Sequence, residues 1–385
     1  MILARNVTKL PKPIPGQSLE SQVCIELQNE FHGMGGGERS CLALANWLET
    51  HGLAHRLVLS CDTYGIGAHA NHPFEAVELR PKAGAASKIR AVRGYFQARP
   101  AGCYPPLVTG YQPALHATLA GVRRFTSLML DTPSLLGNLS ASMRGKISNR
   151  IIGYGLRRAA SLGGSTIVNS EYLQDECWRV FGVKAKIVRM GGLRSSAPFE
   201  IRPTHGVLRM LSVSRVEGSK RIDWMLDSLA ELERAALALS SRVDWRLDIA
   251  GTGSQIEALK SKASDLGLSS RIFFRGFVSD EELQNLYRQA HLFLMPARQG
   301  YGIPAIESLQ RGIPVLLHRE SGVSDILLNT PWATVLTGGG EEMTPRLNEA
   351  IDGVLEGRHH STSLPHLPTE DEWAEEVARL AGWIP

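Results

Sequence analysis

The sequence predicts an α/β protein with two successive, doubly wound parallel sheets, and three observations indicate this. Short apolar runs of strand length alternate with segments of helical periodicity, as they do in βαβ units. The alternation begins again near residue 208, after a stretch at 193–206 that contains Ser and Pro and has no periodicity. The chain of 385 residues has the length expected of two domains.

The composition is that of a globular protein without membrane spans. Hydrophobic residues make up 43% of the chain and charged residues 21%, which are ordinary values for such proteins. No apolar run reaches about 18 residues, and the first residues lack the apolar core of a secretory signal, so we expect a cytoplasmic protein. The five cysteines form no C-x-x-C pair, which argues against a disulfide framework and a zinc site.

Basic residues are concentrated in the first half of the chain. Residues 1–200 carry 23 Lys and Arg against 13 Asp and Glu, whereas residues 201–385 carry 19 against 25. The segments 80–100 and 140–158 are predicted to form basic helices, and the second has interleaved apolar residues. Such helices can lie on an anionic membrane surface, or they can present a solvated face while packing on their own sheet. Both alternatives stay open, and we expect no nucleic-acid partner.

The first half begins with a βαβ pattern around a glycine loop. Predicted elements are a strand at 23–27, a loop at 31–38, a helix at 39–51 and a strand at 57–60. The loop contains Gly35 and Gly36. It does not match the dinucleotide fingerprint, because the third glycine of that frame is replaced by Glu38. A nicotinamide cofactor is therefore not expected.

Asp131 is the polar candidate of the first half. It follows a predicted strand at 127–130, and open α/β sheets bind ligands at the carboxyl ends of their strands. The alternative is an Asx turn or a helix cap. His116 is a second candidate, on the flank of a helix. Further strands are predicted at 166–168 and 187–190, with Ser170 as a helix N-cap.

The second half repeats the alternation with polar or glycine-containing loops after its strands. Predicted strands lie at 208–213, 245–249, 272–274, 292–295, 315–317 and 334–336, and predicted helices at 223–237, 254–266, 280–289 and 371–383. The loop after the first strand carries Arg215 and Lys220. Gly251 follows the second strand and Phe277 follows the third.

The stretch from 292 to 315 organises the second half. A buried strand at 292–295 leads into the loop Gln299-Gly300-Tyr301-Gly302, and a helix with Pro304 in its first turn carries Glu307. Glycines allow a ligand to approach backbone N–H groups, so this loop is predicted to bind an anion or hydroxyl groups. A tight turn that only packs the helix on the sheet is the alternative.

Five blocks of the second half together resemble the retaining GT-B glycosyltransferases of family 4, also called glycosyl transferases group 1. The blocks cover about 110 residues, and the N-terminal half resembles the family only at 35–39. The matching residues are Leu211-Ser212-Val213-Ser214-Arg215 with Lys220, Asp248-Ile249-Ala250-Gly251-Thr252-Gly253, Phe274-Arg275-Gly276-Phe277-Val278, Gly300-Tyr301-Gly302-Ile303-Pro304 with Glu307, and Gly312-Ile313-Pro314-Val315. The resemblance implies a GT-B fold, which consists of two Rossmann-like domains facing a cleft.

The resemblance also implies a role for each candidate residue. Arg215 and Lys220 would hold the diphosphate of a sugar nucleotide, and Glu307 would hold its ribose hydroxyls. Asp131 would make polar contacts beside the donor sugar and is placed with the two cations as catalytic. The remaining donor-binding residues are predicted to be Gly35, Gly36, Gly251, Phe277, Gln299, Gly300, Tyr301 and Gly302.

We expect neither a metal nor a cofactor. The sequence has no Asp-x-Asp, the spacing that GT-A enzymes use for a divalent ion, so basic side chains would take the place of the metal. The nucleoside-diphosphate sugar is a substrate, and the acceptor is expected to be a glycan, a lipid-linked sugar or another glycoconjugate, as in polysaccharide biosynthesis. Peripheral contact with the inner face of the plasma membrane is the hypothesis that follows from the basic helices.

Two departures from the family keep alternatives open. Gln299 replaces the usual Glu, and Leu130 replaces the usual His beside the donor sugar. A GT-B protein that has lost catalysis and serves as a binding or scaffold subunit is therefore a second hypothesis. A nucleotide-sugar epimerase or phosphorylase is a third, although no motif for a pyridoxal lysine is present.

The predicted domain organisation has four parts. Residues 1–195 form an N-terminal acceptor-binding domain, 196–206 a linker and 207–368 a nucleotide-sugar-binding domain. Residues 369–385 form a C-terminal helix that can pack back toward the N-terminal domain.

Overall fold

The computed structural model describes residues 23–26, 30–31, 36–59, 61–62, 65, 75–79, 84–100, 102–133, 142–191, 206–239 and 244–385. Contacts divide the chain into two compact units. The N-terminal unit takes the described residues up to Met190 together with Glu370–Pro385, and the C-terminal unit takes Gly191–Thr369. The predicted linker lies outside the described residues except for Gly206, as does Gly35 of the predicted glycine loop.

The N-terminal unit is a parallel sheet with helices between its strands. Its sheet order is β5-β3-β1-β6-β7-β8-β9, and β2 pairs separately with β4. The strands are β1 (Val23–Glu26), β2 (Glu30–Phe31), β3 (His55–Leu59), β4 (Cys61–Asp62), β5 (Glu75–Glu78), β6 (Leu107–Thr109), β7 (Thr126–Met129), β8 (Thr166–Val168) and β9 (Lys186–Ile187). The helices are α1 (Gly36–Thr50), α2 (Ala85–Gln97), α3 (Tyr111–Ala120), α4 (Met143–Ser161), α5 (Glu171–Phe181) and, from the end of the chain, α11 (Glu370–Ala381).

The start of α1 and the end of β9 each differ from the prediction by three residues. Helix α1 begins at Gly36 rather than at residue 39, so Gly36 belongs to its first turn and not to a loop. Glu38 in that turn suits the positive end of the helix dipole. The strand predicted at 187–190 ends at Ile187, because its partner β8 ends at Val168 and Ser170 already caps α5 through a bond from Leu173 N.

Helix α11 completes the N-terminal unit. It packs on α1, and the indole nitrogen of Trp383 donates to the carbonyl oxygen of Pro105 at 3.0 Å. The apolar face of α11, which includes Trp373, Val377 and Ala381, is buried. Burial of an aromatic and two aliphatic side chains stabilises this arrangement by several kcal/mol on the usual scale of about 25 cal/mol per Å².

The C-terminal unit has a single six-stranded parallel sheet in the order β12-β11-β10-β13-β14-β15. Its apolar core lies between this sheet and α6, α7 and α10. The strands are β10 (Val207–Val213), β11 (Asp244–Ala250), β12 (Ile272–Gly276), β13 (Leu292–Met295), β14 (Val315–His318) and β15 (Ala333–Leu336). The helices are α6 (Ile222–Leu239), α7 (Ile256–Asp265), α8 (Asp280–Gln289), α9 (Ile303–Leu309) and α10 (Met343–Leu355). None of the helices in the described ranges combines the length and apolar character that a membrane crossing requires.

The buried imidazole of His359 is expected to make the C-terminal unit acid-sensitive. Its ring lies 3.8 Å from that of His360 and 5.3 Å from that of Trp332, centre to centre, and only 5% of the residue is exposed. Burial, followed by the neighbouring His360, lowers the pKa of His359 to about 4. Because the unfolded chain would take up this proton near pH 6.5, the stability contribution is complete above that pH and is lost as the pH falls toward 4.

We therefore expect His359→Phe to unfold less readily in acid than the wild type. Between pH 7.5 and pH 4.5 the wild type should lose roughly 2 kcal/mol more unfolding free energy than the variant. Thermal melts at the two pH values measure this difference. His366→Phe, at an exposed histidine of the same unit, is the control and should keep the wild-type slope. If wild type and His359→Phe lose the same unfolding free energy between the two pH values, His359 is not the source of the acid sensitivity.

Candidate functional site in the C-terminal unit

Two loops meet where the strand order of the C-terminal sheet reverses. The first strand, β10, lies beside the fourth, β13, and the chain runs outward from this pair in both directions. Open parallel sheets bind ligands at the carboxyl ends of such a pair, because the two following loops diverge and leave a crevice. Here the loops are 214–220 and 296–302, and Arg298 N donates to Ser219 O at 2.8 Å to join them.

Lys220 reaches across this crevice. It ends the 3₁₀ turn Gly218–Lys220, and its Nζ donates to Oε1 of Gln299 at 2.5 Å. The side chain of Lys220 is half-buried, whereas Arg215 in the same loop is exposed. The structure thus joins two predicted site residues, Lys220 and Gln299, and gives the crevice a fixed cation.

Gln299 is held by hydrogen bonds on both sides of its amide. Its Nε2 donates to Ser321 Oγ at 3.0 Å and contacts Met295 Sδ at 2.9 Å. Ser321 is fully buried, and its hydroxyl donates in turn to the carbonyl oxygen of Tyr301 at 2.9 Å. Backbone bonds from Gln299 N to Glu320 O and from Gly322 N to Gln299 O tie the loop to the segment after β14. These bonds hold the Gln299 amide in one position, and the amide in turn orients Lys220.

Gly302 is required by the geometry of this loop. Its φ of 123° is rarely adopted by L side chains. A Cβ here would lie 2.7 Å from both Gln299 Nε2 and Met295 Cε, and 3.1 Å from Ser321 Oγ. The glycine therefore keeps the chain close to the amide network, and α9 begins directly after it, with Pro304 at the start of the helix as predicted.

Glu307 is a buried carboxylate on α9 with a fixed orientation. Only 5% of the residue is exposed, and the hydroxyl of Tyr287 donates to its Oε2 at 3.0 Å. Tyr287 itself is completely buried and contacts Phe293 of β13 at 6.4 Å between ring centres. A buried carboxylate costs free energy unless it is hydrogen-bonded, so its position is set by the fold around it.

The loops after β11 and β12 border the same edge of the sheet. Gly251 has φ 137°, and a Cβ there would lie 1.9 Å from Ser214 O, so this loop presses against the one that carries Arg215. Glu217 accepts bonds from Ser254 N and Oγ at 3.0 and 2.6 Å, and these bonds hold the pKa of Glu217 below its usual range. Phe277, after β12, is 87% exposed. An aromatic ring so exposed beside a ligand crevice is available for stacking.

Three side chains that support the site, Arg221, Glu320 and Ser321, were not predicted from the sequence. Arg221 forms an ion pair with Glu320, donates to Pro296 O at 3.3 Å and lies 4.4 Å from the centre of the Trp224 ring. Ser321 connects Gln299 to Tyr301. The only signal for Glu320 and Ser321 was the polar Glu320-Ser321-Gly322 cluster after β14, at the carboxyl end of the strand next to β13.

Two of the predicted site residues that the structure describes, Asp131 and Gly36, belong to the N-terminal unit. Asp131 is exposed after β7, and its carbonyl oxygen accepts a hydrogen bond from the hydroxyl of Tyr111. Gly36 begins α1. Among the described residues of both units, no group of three or more His, Cys, Asp or Glu side chains is arranged to hold a metal ion.

Gln299→Glu is expected to weaken the binding of an anionic ligand in the crevice. A carboxylate would form an ion pair with Lys220 and neutralise part of its charge, and it would have no N–H to give Ser321 Oγ. We expect roughly fivefold weaker binding of a nucleoside diphosphate, equivalent to about 1 kcal/mol, measured by isothermal titration calorimetry. Gln289→Glu adds the same charge at an exposed site of α8 and should bind as the wild type does. Unchanged or tighter binding by Gln299→Glu would contradict a direct role of Lys220.

Comparisons with known proteins show which proteins this chain is similar to. Residues 196–361 match the sequence profile described as Glycosyl transferases group 1. The chain is 31% identical over 189 residues to the GDP-mannose-dependent alpha-(1-6)-phosphatidylinositol monomannoside mannosyltransferase of Mycolicibacterium smegmatis, over 45% of this chain and 46% of that protein. It spans about half the length, or less, of the first curated relatives that it matches.

Solved structures extend the likeness to both units. Anabaena Alr3699/HepE in complex with UDP and glucose superposes with a TM-score of 0.69 at 15% identity, over 94% of this chain and 100% of that chain. A glycosyltransferase from Rickettsia africae ESF-5 gives a TM-score of 0.69 at 13% identity, over 94% and 97%. At these identities the likeness concerns the fold, and it confirms the predicted GT-B class with two parallel-sheet, Rossmann-like units.

Proposed function

Because residues 196–361 belong to the glycosyl transferases group 1 family, we propose that the protein is a retaining glycosyltransferase that uses a nucleoside-diphosphate sugar. The observation that carries the proposal is the contact of Lys220 with Gln299 at the point where the sheet order reverses. A fixed cation in this position meets the requirement of a leaving group that becomes more negative as the glycosidic bond breaks.

In the proposed reaction, Lys220 and Arg215 bind the two phosphates of the donor. They stabilise the charge on the departing diphosphate, so the reaction proceeds without a metal ion. The acceptor hydroxyl attacks from the face that the diphosphate leaves, and a phosphate oxygen takes its proton. The new glycosidic bond therefore keeps the anomeric configuration of the donor. Asp131 contributes polar contacts to the sugar.

The nucleoside part of the donor is assigned to the remaining side chains. Glu307, held by Tyr287, accepts hydrogen bonds from the two ribose hydroxyls. The exposed ring of Phe277 stacks on the base. The loop at Gly300–Gly302 offers backbone N–H groups to the sugar and the phosphate.

The similar proteins support a class of substrate rather than one compound. The name of the mycobacterial relative specifies GDP-mannose and a phosphatidylinositol-linked acceptor, whereas the Anabaena structure contains UDP and glucose. The common chemistry is a nucleoside diphosphate that carries a hexose. We propose an acceptor that is a glycan or a lipid-linked sugar, as in polysaccharide or glycolipid biosynthesis.

A thermal-shift panel of nucleoside diphosphates and their sugars tests the proposal. At 100 times its dissociation constant, the cognate ligand adds about 2.7 kcal/mol of stability, and we expect the melting temperature to rise by roughly 5 °C. The product of the cognate donor, analysed by proton NMR, should have the donor's anomeric configuration. The absence of any shift with the whole panel would contradict the proposal, and an inverted product would contradict retention.

Gln299 and Leu130 favour one second candidate, a GT-B protein that binds a donor without catalysis. Both replace residues that the resembling family places beside the sugar. Stable binding of an intact nucleotide sugar, without hydrolysis and without transfer to any acceptor, would support this candidate over the enzyme.

We also propose peripheral contact with an anionic membrane through the outer face of α4. Met143, Ile147 and Tyr154 are 78%, 52% and 57% exposed, and their helical spacing places them on one face. Exposed Lys146 and Arg150 lie beside them. Apolar side chains flanked by cations fit the interface of an anionic leaflet.

Flotation with liposomes tests this contact. We expect binding to phosphatidylglycerol vesicles at low salt, little binding to phosphatidylcholine vesicles, and loss of binding in Ile147→Glu. Failure of the wild type to float with anionic vesicles at low salt would contradict the membrane contact without affecting the donor site.

A further inference from the structure

The N-terminal unit contains a cavity of about 330 Å³ that none of the proposed donor residues lines. It lies among α2, α3 and α4 and the end of α5. Its apolar wall consists of Tyr111, Leu115, Pro133, Ile152 and Phe181. The cavity is partly open to solvent, so a molecule can enter it from outside the protein. Its volume lies at the lower end of the range of ligand pockets, roughly 300–1,000 Å³.

Two of the polar side chains that line the cavity, Lys88 and His116, give it a chemical preference. Among the described residues that line it, Lys88 is the only one with a permanent charge. His116 is 6% exposed, and its Nδ1 has no hydrogen-bond partner among the described residues. A buried polar atom without a partner costs about 1–3 kcal/mol, so a ligand that supplies the bond would be favoured.

The state of His116 follows from its surroundings. Burial lowers the pKa of His116, and the charge of Lys88 acts in the same direction. The imidazole is therefore neutral at pH 7, and its Nδ1 can take part in one hydrogen bond with an uncharged group. The site thus offers the cation of Lys88, the neutral Nδ1 of His116 and an apolar wall, together with the polar side chains of Gln112, Ser148 and Asn149.

The cavity also lies close to the end of the sheet where the acceptor is expected. Tyr111 lines it, and the hydroxyl of the same residue donates to the carbonyl oxygen of Asp131. Pro133, two residues further on, is part of the wall. The part of the wall formed by Tyr111 and Pro133 therefore lies near the carboxyl end of β7, where open α/β sheets present their ligands.

We propose that this cavity binds the apolar portion of an anionic amphiphile that serves as the acceptor. Lys88 binds its phosphate or carboxylate, and His116 binds a neighbouring hydroxyl or ester oxygen. This inference rests on the proposed function, since it names the acceptor class of the same enzyme. A water-soluble glycan without an apolar group would leave the wall of Leu115 and Ile152 unused.

Calorimetric titration of the full chain with dodecyl phosphate, below its critical micelle concentration, tests the inference. We expect saturable binding of one molecule, at least tenfold weaker binding of inorganic phosphate, and at least fivefold weaker binding of dodecyl phosphate by Lys88→Ala. Lys184→Ala removes an exposed cation between α5 and β9 of the same unit, away from the cavity lining and from α4, and should bind as the wild type does. Equal losses in the two lysine variants, or equal binding of inorganic phosphate, would overturn the proposal.

Two variants that fill the cavity complete the experiment. Leu115→Trp and Gln112→Trp should each weaken dodecyl phosphate binding at least tenfold, and Gln112 is exposed, so its variant tests the site if Leu115→Trp does not fold. If either variant folds and binds dodecyl phosphate as the wild type does, the proposal is overturned.

Nucleoside diphosphate binding separates the cavity proposal from the proposed function. If a nucleoside diphosphate binds and dodecyl phosphate does not, only the cavity proposal fails. If dodecyl phosphate binds and no nucleoside diphosphate does, the proposed function fails and with it the acceptor role.

Discussion

Lys220→Met is expected to weaken nucleoside diphosphate binding at least tenfold and to slow sugar transfer by about 100- to 1,000-fold. A hydrogen bond to a charged group contributes about 1.5–3 kcal/mol, and removal of a donor aimed at developing charge costs about 100- to 1,000-fold in rate. Lys220 is a half-buried cation of the crevice and is oriented by Gln299. Calorimetry measures the binding, and release of the nucleoside diphosphate from its sugar measures the rate.

Lys260→Met is the matched control for this variant. Lys260 is exposed on α7, and its Nζ lies 2.9 Å from Oε1 of Glu257, one turn earlier. This ion pair contributes little, because both side chains are exposed to solvent. Replacement of Lys260 should change neither affinity nor rate. Lys220→Met with wild-type affinity and rate would show that this cation is structural, and the assignment of the diphosphate site would be wrong.

Glu307→Gln is expected to weaken donor binding by roughly tenfold while the protein remains folded. The amide keeps the shape of the side chain and can still accept the bond from Tyr287, but it lacks the charge that strengthens bonds from two ribose hydroxyls. Calorimetry with the cognate nucleoside diphosphate measures the loss, and a thermal melt without ligand checks that the variant is folded.

The 2′-deoxy analogue of the cognate nucleoside diphosphate identifies the group that Glu307 binds. The wild type should bind this analogue more weakly than the ribose form, because a site built for a hydroxyl loses its hydrogen bond. In Glu307→Gln the difference should shrink. Glu281 is an exposed carboxylate on α8, so Glu281→Gln is the control and should keep the wild-type difference in affinity between the two ligands. If Glu307→Gln discriminates between the ribose form and the 2′-deoxy analogue as strongly as the wild type does, the ribose binds elsewhere.

The elements around the candidate site could be predicted because their sequence signals are local. The strand at Leu292–Met295 is a short apolar run that ends at a proline, and Ser279 is an N-cap whose hydroxyl accepts from Glu282 N. Two other elements, α10 and β6, were not predicted, because their sequence signals conflict. Helix α10 has Pro345 near its start and Gly353 near its end, and β6 is only three residues long between Pro106 and Gly110. Such short or interrupted segments depend on the sheet and core for their formation.

The contacts within the site could not be predicted in the same way. Lys220 and Gln299 are 79 positions apart, and their hydrogen bond exists because β10 and β13 are neighbours at the reversal of strand order. Ser321 carries no motif, and its role depends on the position of β14 beside β13. The residue types of the site were visible in the sequence, whereas the network that orients them depends on the order of the strands.

Turnover of nucleotide sugars shows directly whether the crevice between the loops after β10 and β13 binds and cleaves a nucleoside-diphosphate sugar. A mixture of UDP-, GDP- and ADP-hexoses is incubated with the wild type and with Lys220→Met, and the released nucleoside diphosphates are separated and quantified. We expect the wild type to release the nucleoside diphosphate from one donor class, and Lys220→Met to release it at least about 100-fold more slowly. Equal release by both proteins, or no binding and no release for any donor, would contradict this role of the crevice.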